Sequence, residues 1–137
     1  KNLTITELFG RKRRIPRELV WLDKEKTRGR WTSEDSKSRG VYKNALNMHT
    51  NFVPQSSACN MMLLALSRIR EHFISTGGWL NSVFSLAMIH DEILFEIEKE
   101  KTQEYLPIIQ DMLENVVRLT VPVRASVKIV ENWAKAK

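Results

Sequence analysis

Three consecutive polar side chains, His90, Asp91 and Glu92, interrupt an otherwise mostly apolar stretch from Phe84 to Ile97. The chemistry open to them is that of a hard-cation site. Adjacent carboxylates on a stiff, buried support repel each other and are costly to desolvate, and a bound cation removes both penalties. Oxygen donors favour ions such as magnesium, which takes one or two carboxylates and leaves its other positions to water and substrate phosphates. The alternative is that an acid at this point is simply a turn residue. A second set of candidates is the run Arg11-Lys12-Arg13-Arg14, since guanidinium forks match phosphate oxygens.

The elements that must position these groups follow from pattern. Apolar runs on either side of the polar triplet predict a β-hairpin over 84–97, with His90, Asp91 and Glu92 at its tip. Thr4–Phe9 has strand character, and Gly10 predicts a turn that sends the four cations back along a second strand. Alternation would then put half of them on one face. Asp23 to Gly40 is rich in Lys, Glu, Thr, Arg, Ser and Asp and reads as a long mobile connection, with Trp31 as its anchor. Val41–Met48 is a short helix-compatible stretch. Pro54 suits the first turn of a helix, which predicts a helix over about 54–73. Its apolar stripe is Ala58, Met61, Met62, Ala65, Ile69 and Phe73, widened by Leu63, Leu64 and Leu66 so that the helix is largely buried. Arg68 and Arg70 turn outward near its end, and Gly77-Gly78 stops it.

Beyond the hairpin, Glu98–Lys101 predicts a charged turn and Thr102 an N-cap. Leu106, Ile109, Leu113, Val116 and Val117 form one face of a second helix ending near Arg118, with Pro107 disturbing its start. From Pro122, Val123, Ala125, Val127 and Ile129 alternate with Arg124, Ser126 and Lys128, which predicts a one-sided antiparallel strand. Trp133 is expected to pack against that sheet. The fold class is α+β: an antiparallel sheet made of the hairpin and a C-terminal strand, packed on two long helices.

The 137 residues and 16.0 kDa allow one compact body with a sizeable core, and 42% hydrophobic residues agree with a soluble class. No run reaches membrane-spanning length, and no secretory signal is present. The chain opens on Lys1 and reads as a piece of something longer. One cysteine, Cys59, excludes an internal disulfide and a cysteine-rich zinc site, and its neighbours Ala58 and Met61 suggest a small core residue. The net charge of +6 is unevenly placed: residues 1–44 carry 13 Lys/Arg against 6 Asp/Glu, and residues 45–137 carry 9 against 10. A basic hairpin and polar loop (1–44) therefore precede a near-neutral body (45–137). That asymmetry points to a polyanion, nucleic acid before anionic membrane.

These segments occur in an order that resembles the C-terminal part of the palm of a family A DNA polymerase, the DNA polymerase I group. Leu8-Phe9-Gly10-Arg11 with Arg13-Arg14 resembles the family's basic hairpin after the fingers. Asn51 and Gln55 resemble the Asn and Gln leading into its long palm helix. His90-Asp91-Glu92-Ile93 resembles motif C, and Leu113-Glu114-Asn115, Val121-Pro122 and Glu131-Asn132-Trp133 resemble the closing helix and strand. The likeness runs from about Thr4 to Lys135, apart from the polar loop. The chain departs from the pattern at Asn47, Ser56 and Asn60, where Arg, Gly and Asp are common, and at Pro54, which directly precedes Gln55. Gln55-Ser56-Ser57 is more like some phage and mitochondrial members.

The resemblance implies a DNA-directed DNA polymerase, a nucleotidyltransferase using two magnesium ions roughly 3.5–4 Å apart. Asp91 would be a catalytic metal ligand, with Glu92 beside it. His90 would touch the primer end. Asn51 and Gln55 would bond the duplex near its terminus in the minor groove, where acceptors differ little between base pairs. Arg11, Arg13 and Arg14 would meet backbone phosphate, which positions without specifying. Partners would be primer-template DNA, a dNTP, and an upstream polymerase segment carrying the other catalytic Asp and the fingers, with no membrane. The setting implied is cytoplasmic, bacterial or phage-like, with a mitochondrial one also open. The chain alone is expected not to polymerise. Two other readings stand beside this one: a catalytically silent DNA-binding palm remnant, and a metal-dependent nuclease using His90, Asp91 and Glu92.

Overall fold

The computed structural model describes residues 4–15 and 36–135. The chain divides into two compact units, Lys1–Asn60 and Met61–Lys137. Among the described residues the fold is α+β, with two antiparallel hairpins and two helices. The expected connection over Asp23–Gly40, with Trp31, lies outside the described residues up to residue 35. Among the described residues no helix is long and apolar enough to cross a membrane.

In the first unit, β1 (Thr4–Thr6) pairs antiparallel with β2 (Lys12–Arg14), Ile5 opposite Arg13. The turn between them closes through Gly10 N–H to the Glu7 carbonyl and Glu7 N–H to the Arg11 carbonyl, both 3.0 Å. Gly10 has φ +86, a conformation that a Cβ disfavours. This is the basic hairpin expected from the sequence.

Helix α1 (Ser36–Ser75) begins earlier than predicted and contains Pro54 in its interior rather than in its first turn. The stretch 41–48 and the predicted helix from Pro54 are thus one element, and Gly40 is helical. Inside a helix a proline removes one backbone hydrogen bond, and its ring crowds the carbonyl four residues back, here that of Thr50. Its neighbours Asn51, Phe52, Val53, Ser56 and Ser57 are not strong helix formers, so what outweighs that loss is the packing of His49, Phe52 and Ser57 on the hairpin.

The second unit is built around Ile69, Phe73, Val83 and Ile109, all buried, with Trp79, Phe95, Ile97, Tyr105, Ile108, Met112 and Leu113 packed around them. Ala65, Ile69 and Phe73 bury the predicted stripe, but Ala58 and Leu63 are exposed and Met61, Met62, Leu64 and Leu66 only half-buried. Cys59 is likewise half-buried. The apolar face is covered only towards the end of α1, where the hairpin and second helix meet it. Gly77, at φ +75, ends α1 with its N–H on the Ile74 carbonyl at 3.2 Å. Gly78 follows under Phe73 and Tyr105, where an added Cβ would come within 3.2 Å of Phe73 Cδ1 and the Tyr105 hydroxyl and press on them.

Strands β3 (Val83–Ile89) and β4 (Glu92–Ile97) form the predicted hairpin, with a bulge between Ser85 and Ala87 that leaves Leu86 unpaired. A 3-10 turn (Lys99–Lys101) leads into α2 (Thr102–Glu114). Thr102 is not the cap: it is already helical, and its hydroxyl bonds back to the Glu98 carbonyl at 3.1 Å. Pro107 is accommodated inside the helix.

The predicted C-terminal strand does not form. Among the described residues the sheet has two strands, and 122–130 carry no ladder. Val123 and Ala125 are half-buried as the alternation requires, but Val127 (45% exposed) and Ile129 (61%) are not. A strand needs a partner edge for its backbone groups, and none is paired with this one. Side chains hold the segment instead. Glu114 accepts from Ala125 N–H at 3.0 Å and from Arg124 at 3.3 Å, while Gln110 donates to the Ala125 carbonyl at 3.2 Å. Trp133, expected against the sheet, is 59% exposed.

Candidate active site

The hairpin of the second unit carries the polar triplet on the shortest possible connection. Ile89 faces Glu92, so His90 and Asp91 are the whole turn. A two-residue connection matches the right-handed strand twist only when its first residue has positive φ. His90 meets that need at φ 54, in a region that a side chain normally makes unfavourable. His90, Asp91 and Glu92 are all exposed, which corrects the expectation of a buried support. The base of the hairpin is anchored in the core through buried Val83 and half-buried Phe95 and Ile97, and Ala87, Met88, Ile93 and Leu94 above it are half-buried as well. Among the described residues none of the three side chains has a hydrogen bond or ion pair.

Two adjacent carboxylates without internal partners can offer oxygens to a divalent cation. They do not make a cage: among the described residues no group of three or more His, Cys, Asp or Glu is placed to hold a metal. Any further ligand must come from water, substrate or other protein.

In the first unit the basic hairpin is docked on α1. Arg11 donates to Asn60 Oδ1 at 2.8 Å, and Arg13 lies 5.7 Å from the centre of the Phe52 ring. Buried His49 donates from Nδ1 to the Ala45 carbonyl at 2.6 Å, and its Nε2 lies 3.4 Å from the Arg14 carbonyl. Arg11 and Arg14 are exposed, and Arg13, opposite Ile5, is half-buried. Asn51 and Gln55 are exposed and one helical turn apart, so they share a face. That face is more than a quarter-turn round the helix from the row holding the hairpin. An apolar cleft of about 300 Å³, lined by Ile5, Ile15, Leu46, His49, Thr50 and Val53, contains none of the candidate residues.

Sequence reasoning missed Glu7, Ser57, Asn60 and His49 as determinants of this docking. Glu7 is 4% exposed, yet its partner Ser57 is 50 positions away, a pairing that no local pattern signals. The only hint was a carboxylate three residues before the turn glycine.

An α+β chain with an acidic hairpin tip in one unit and a basic hairpin on a long helix in the other now has a family. Residues 1–135 match the model of DNA polymerase family A, and the chain belongs to that family. More particularly, it is similar to DNA polymerases I. It is 26% identical to the thermostable DNA polymerase I of Thermus filiformis over 133 residues, which is 97% of this chain and 13% of that one. It is 33% identical to DNA polymerase I of Helicobacter pylori over 95 residues, 69% of this chain and 10% of that one. Among solved structures it is similar to the POL domain of Pol1 from M. smegmatis in complex with DNA primer-template and dNTP. The TM-score is 0.65 and the identity 25%, covering 87% of this chain and 18% of that one. The chain thus spans only about an eighth of the length of the thermostable relative.

Proposed function

We infer that the chain is the C-terminal palm portion of a DNA-directed DNA polymerase and contributes part of a nucleotidyl-transfer site. The observation that carries this is the exposed, unpartnered Asp91-Glu92 pair at a two-residue turn, within a chain whose family membership extends from residue 1 to 135. The solved relative with primer-template and dNTP supports DNA and a nucleotide as partners.

The donor set fits magnesium, since it offers two hard oxygen ligands with no competing internal bonds. Asp91 would hold the ion and Glu92 would stand beside it, with remaining positions left to water, substrate and an acid from an upstream segment. When bound, magnesium would supply Lewis-acid stabilisation of the attacking and leaving oxygens. His90, raised at the turn by its positive φ, would orient the primer end. Asn51 and Gln55 would bond the duplex through groove acceptors common to all base pairs. Arg11, Arg13 and Arg14 would fix the backbone by phosphate contacts.

The test is primer extension with the 137-residue chain, alone and together with the upstream polymerase segment. The chain alone is expected to give no template-directed product. The combination is expected to extend, and Asp91→Ala to lower its rate by about 10²–10⁴, the loss of several kcal/mol of charge stabilisation. Extension by the lone chain would refute the dependence on an upstream segment. A combination that extends equally well with Asp91→Ala would refute the role of the tip. The absence of a three-ligand group among the described residues favours a second reading, a DNA-binding remnant without catalysis. Salt-dependent duplex affinity with no extension under any combination would support it.

A further inference from the structure

The buried carboxylate of Glu7 belongs to neither candidate set, yet it sits where the basic hairpin meets α1. Its Oε1 accepts the Arg11 backbone N–H at 2.7 Å, and its Oε2 accepts the Ser57 hydroxyl at 3.2 Å. The same Ser57 oxygen accepts the Leu8 N–H at 3.2 Å. One side chain therefore closes the turn from within and ties it to the helix. A buried carboxylate is costly unless its oxygens are bonded. Burial alone pushes the Glu7 pKa up, but the Arg11 and Phe9 backbone and the Ser57 and Asn60 side chains outweigh it and hold the group below the ordinary carboxylate value. The Arg11 guanidinium, bonded to Asn60 at 2.8 Å, projects from the residue whose N–H Glu7 holds.

We propose that Glu7 is a positioning residue for the DNA grip, clamping the β1–β2 turn to α1 so that the Arg11–Arg14 run meets phosphate as a preorganised surface. The proposal rests on the nucleic-acid reading given above. Without the clamp each phosphate contact must also pay for ordering the turn, so affinity falls although no cation has been removed.

The experiment measures binding of a fluorescein-labelled primer-template duplex to the full chain across a sodium chloride series, for the unaltered chain and for Glu7→Ala, Glu7→Gln, Ser57→Ala and the Glu7→Ala/Ser57→Ala pair. Far-UV helicity identifies variants that have lost α1. Glu7→Ala is expected to bind threefold or more weakly with the salt slope unchanged, because the loss is the cost of ordering the turn and not a phosphate contact. Glu7→Gln, which keeps one acceptor oxygen, restores part of the loss. The double variant is no weaker than Glu7→Ala, because both changes cut the same tie. Amide exchange at Leu8 and Arg11 quickens in Glu7→Ala at unchanged helicity. If the unaltered chain binds duplex and Glu7→Ala matches it in affinity, or weakens with a slope shallower by about 0.9 that marks a lost phosphate contact, preorganisation is not what Glu7 supplies and the proposal is overturned. If amide exchange does not change, the clamp itself is overturned, whatever happens to binding. An unaltered chain that does not bind duplex overturns the nucleic-acid reading and the positioning role with it, while the exchange result still decides the clamp.

Discussion

At His90 the usual ranking of alanine over glycine should reverse. His90 has φ 54 in a two-residue turn between paired Ile89 and Glu92. A side chain in that region costs about 1–2 kcal/mol. Glycine escapes this cost but has more freedom to lose on folding, about 0.5–1 kcal/mol. The difference leaves His90→Gly more stable than His90→Ala by about 0.5–1 kcal/mol, since both lack the imidazole and differ only in the Cβ. For a chain of this size that is roughly 2–4 °C in melting temperature. The assay is paired thermal melts by circular dichroism, with amide exchange at Ile89 and Glu92 to show that the change is local. An alanine variant as stable as the glycine one would refute the left-handed turn. If His90 contacts the primer as proposed, both variants should slow extension alike in combination with the upstream segment, since both lack the imidazole whatever their stability.

Phe73→Ala should cost about 3–5 kcal/mol, because Phe73 is 1% exposed and packs on Tyr105 at 4.7 Å between ring centres; urea denaturation would measure it. Ser56→Ala should be neutral or stabilising by up to about 1 kcal/mol, because the buried Ser56 hydroxyl has no partner; the same denaturation reads it. Glu114 is held below its ordinary value of 4.5 by the Ala125 N–H and then by Gln110, with Arg124 adding to them against burial. Its contribution is complete above about pH 4.5 and lost as pH falls through the lower folded value, so Glu114→Gln should flatten the acid limb of a stability–pH curve measured between pH 3 and 6.

The hairpins were legible because their signals are local. Gly10 before four cations marked one turn, and polar residues between apolar runs marked the other. The α1 boundary was not. Pro54 is a strong local stop signal, and what overrides it is tertiary, the seating of Phe52, Ser57 and Asn60 against β1–β2. The C-terminal alternation over 123–129 was read correctly as a pattern and wrongly as a strand. Alternation reports a preference for pairing, and the partner edge is not a property of the segment. At the candidate site the residue types were visible in order, while the exposure of the tip was not, since the flanking apolar runs suggested deeper burial than the hairpin provides. The Glu7 clamp was invisible for the same reason as the helix boundary, because its two halves are far apart in the sequence.

The unpaired Leu86 sets a parity for everything beyond it. Ser85 faces Phe95 and Ala87 faces Leu94, so one strand spends an additional residue and its alternation changes phase halfway up. Removing that residue would not merely shorten the ribbon. It would leave the pairs Ala87–Leu94, Met88–Ile93 and Ile89–Glu92 in place and heal the bulge, taking away the bend and added twist it gives the strand, so the acidic turn would point in a new direction. The bulge in β3 therefore sets the direction in which the tip is presented, and length changes there should be less tolerated than equal changes in the irregular segment after α2.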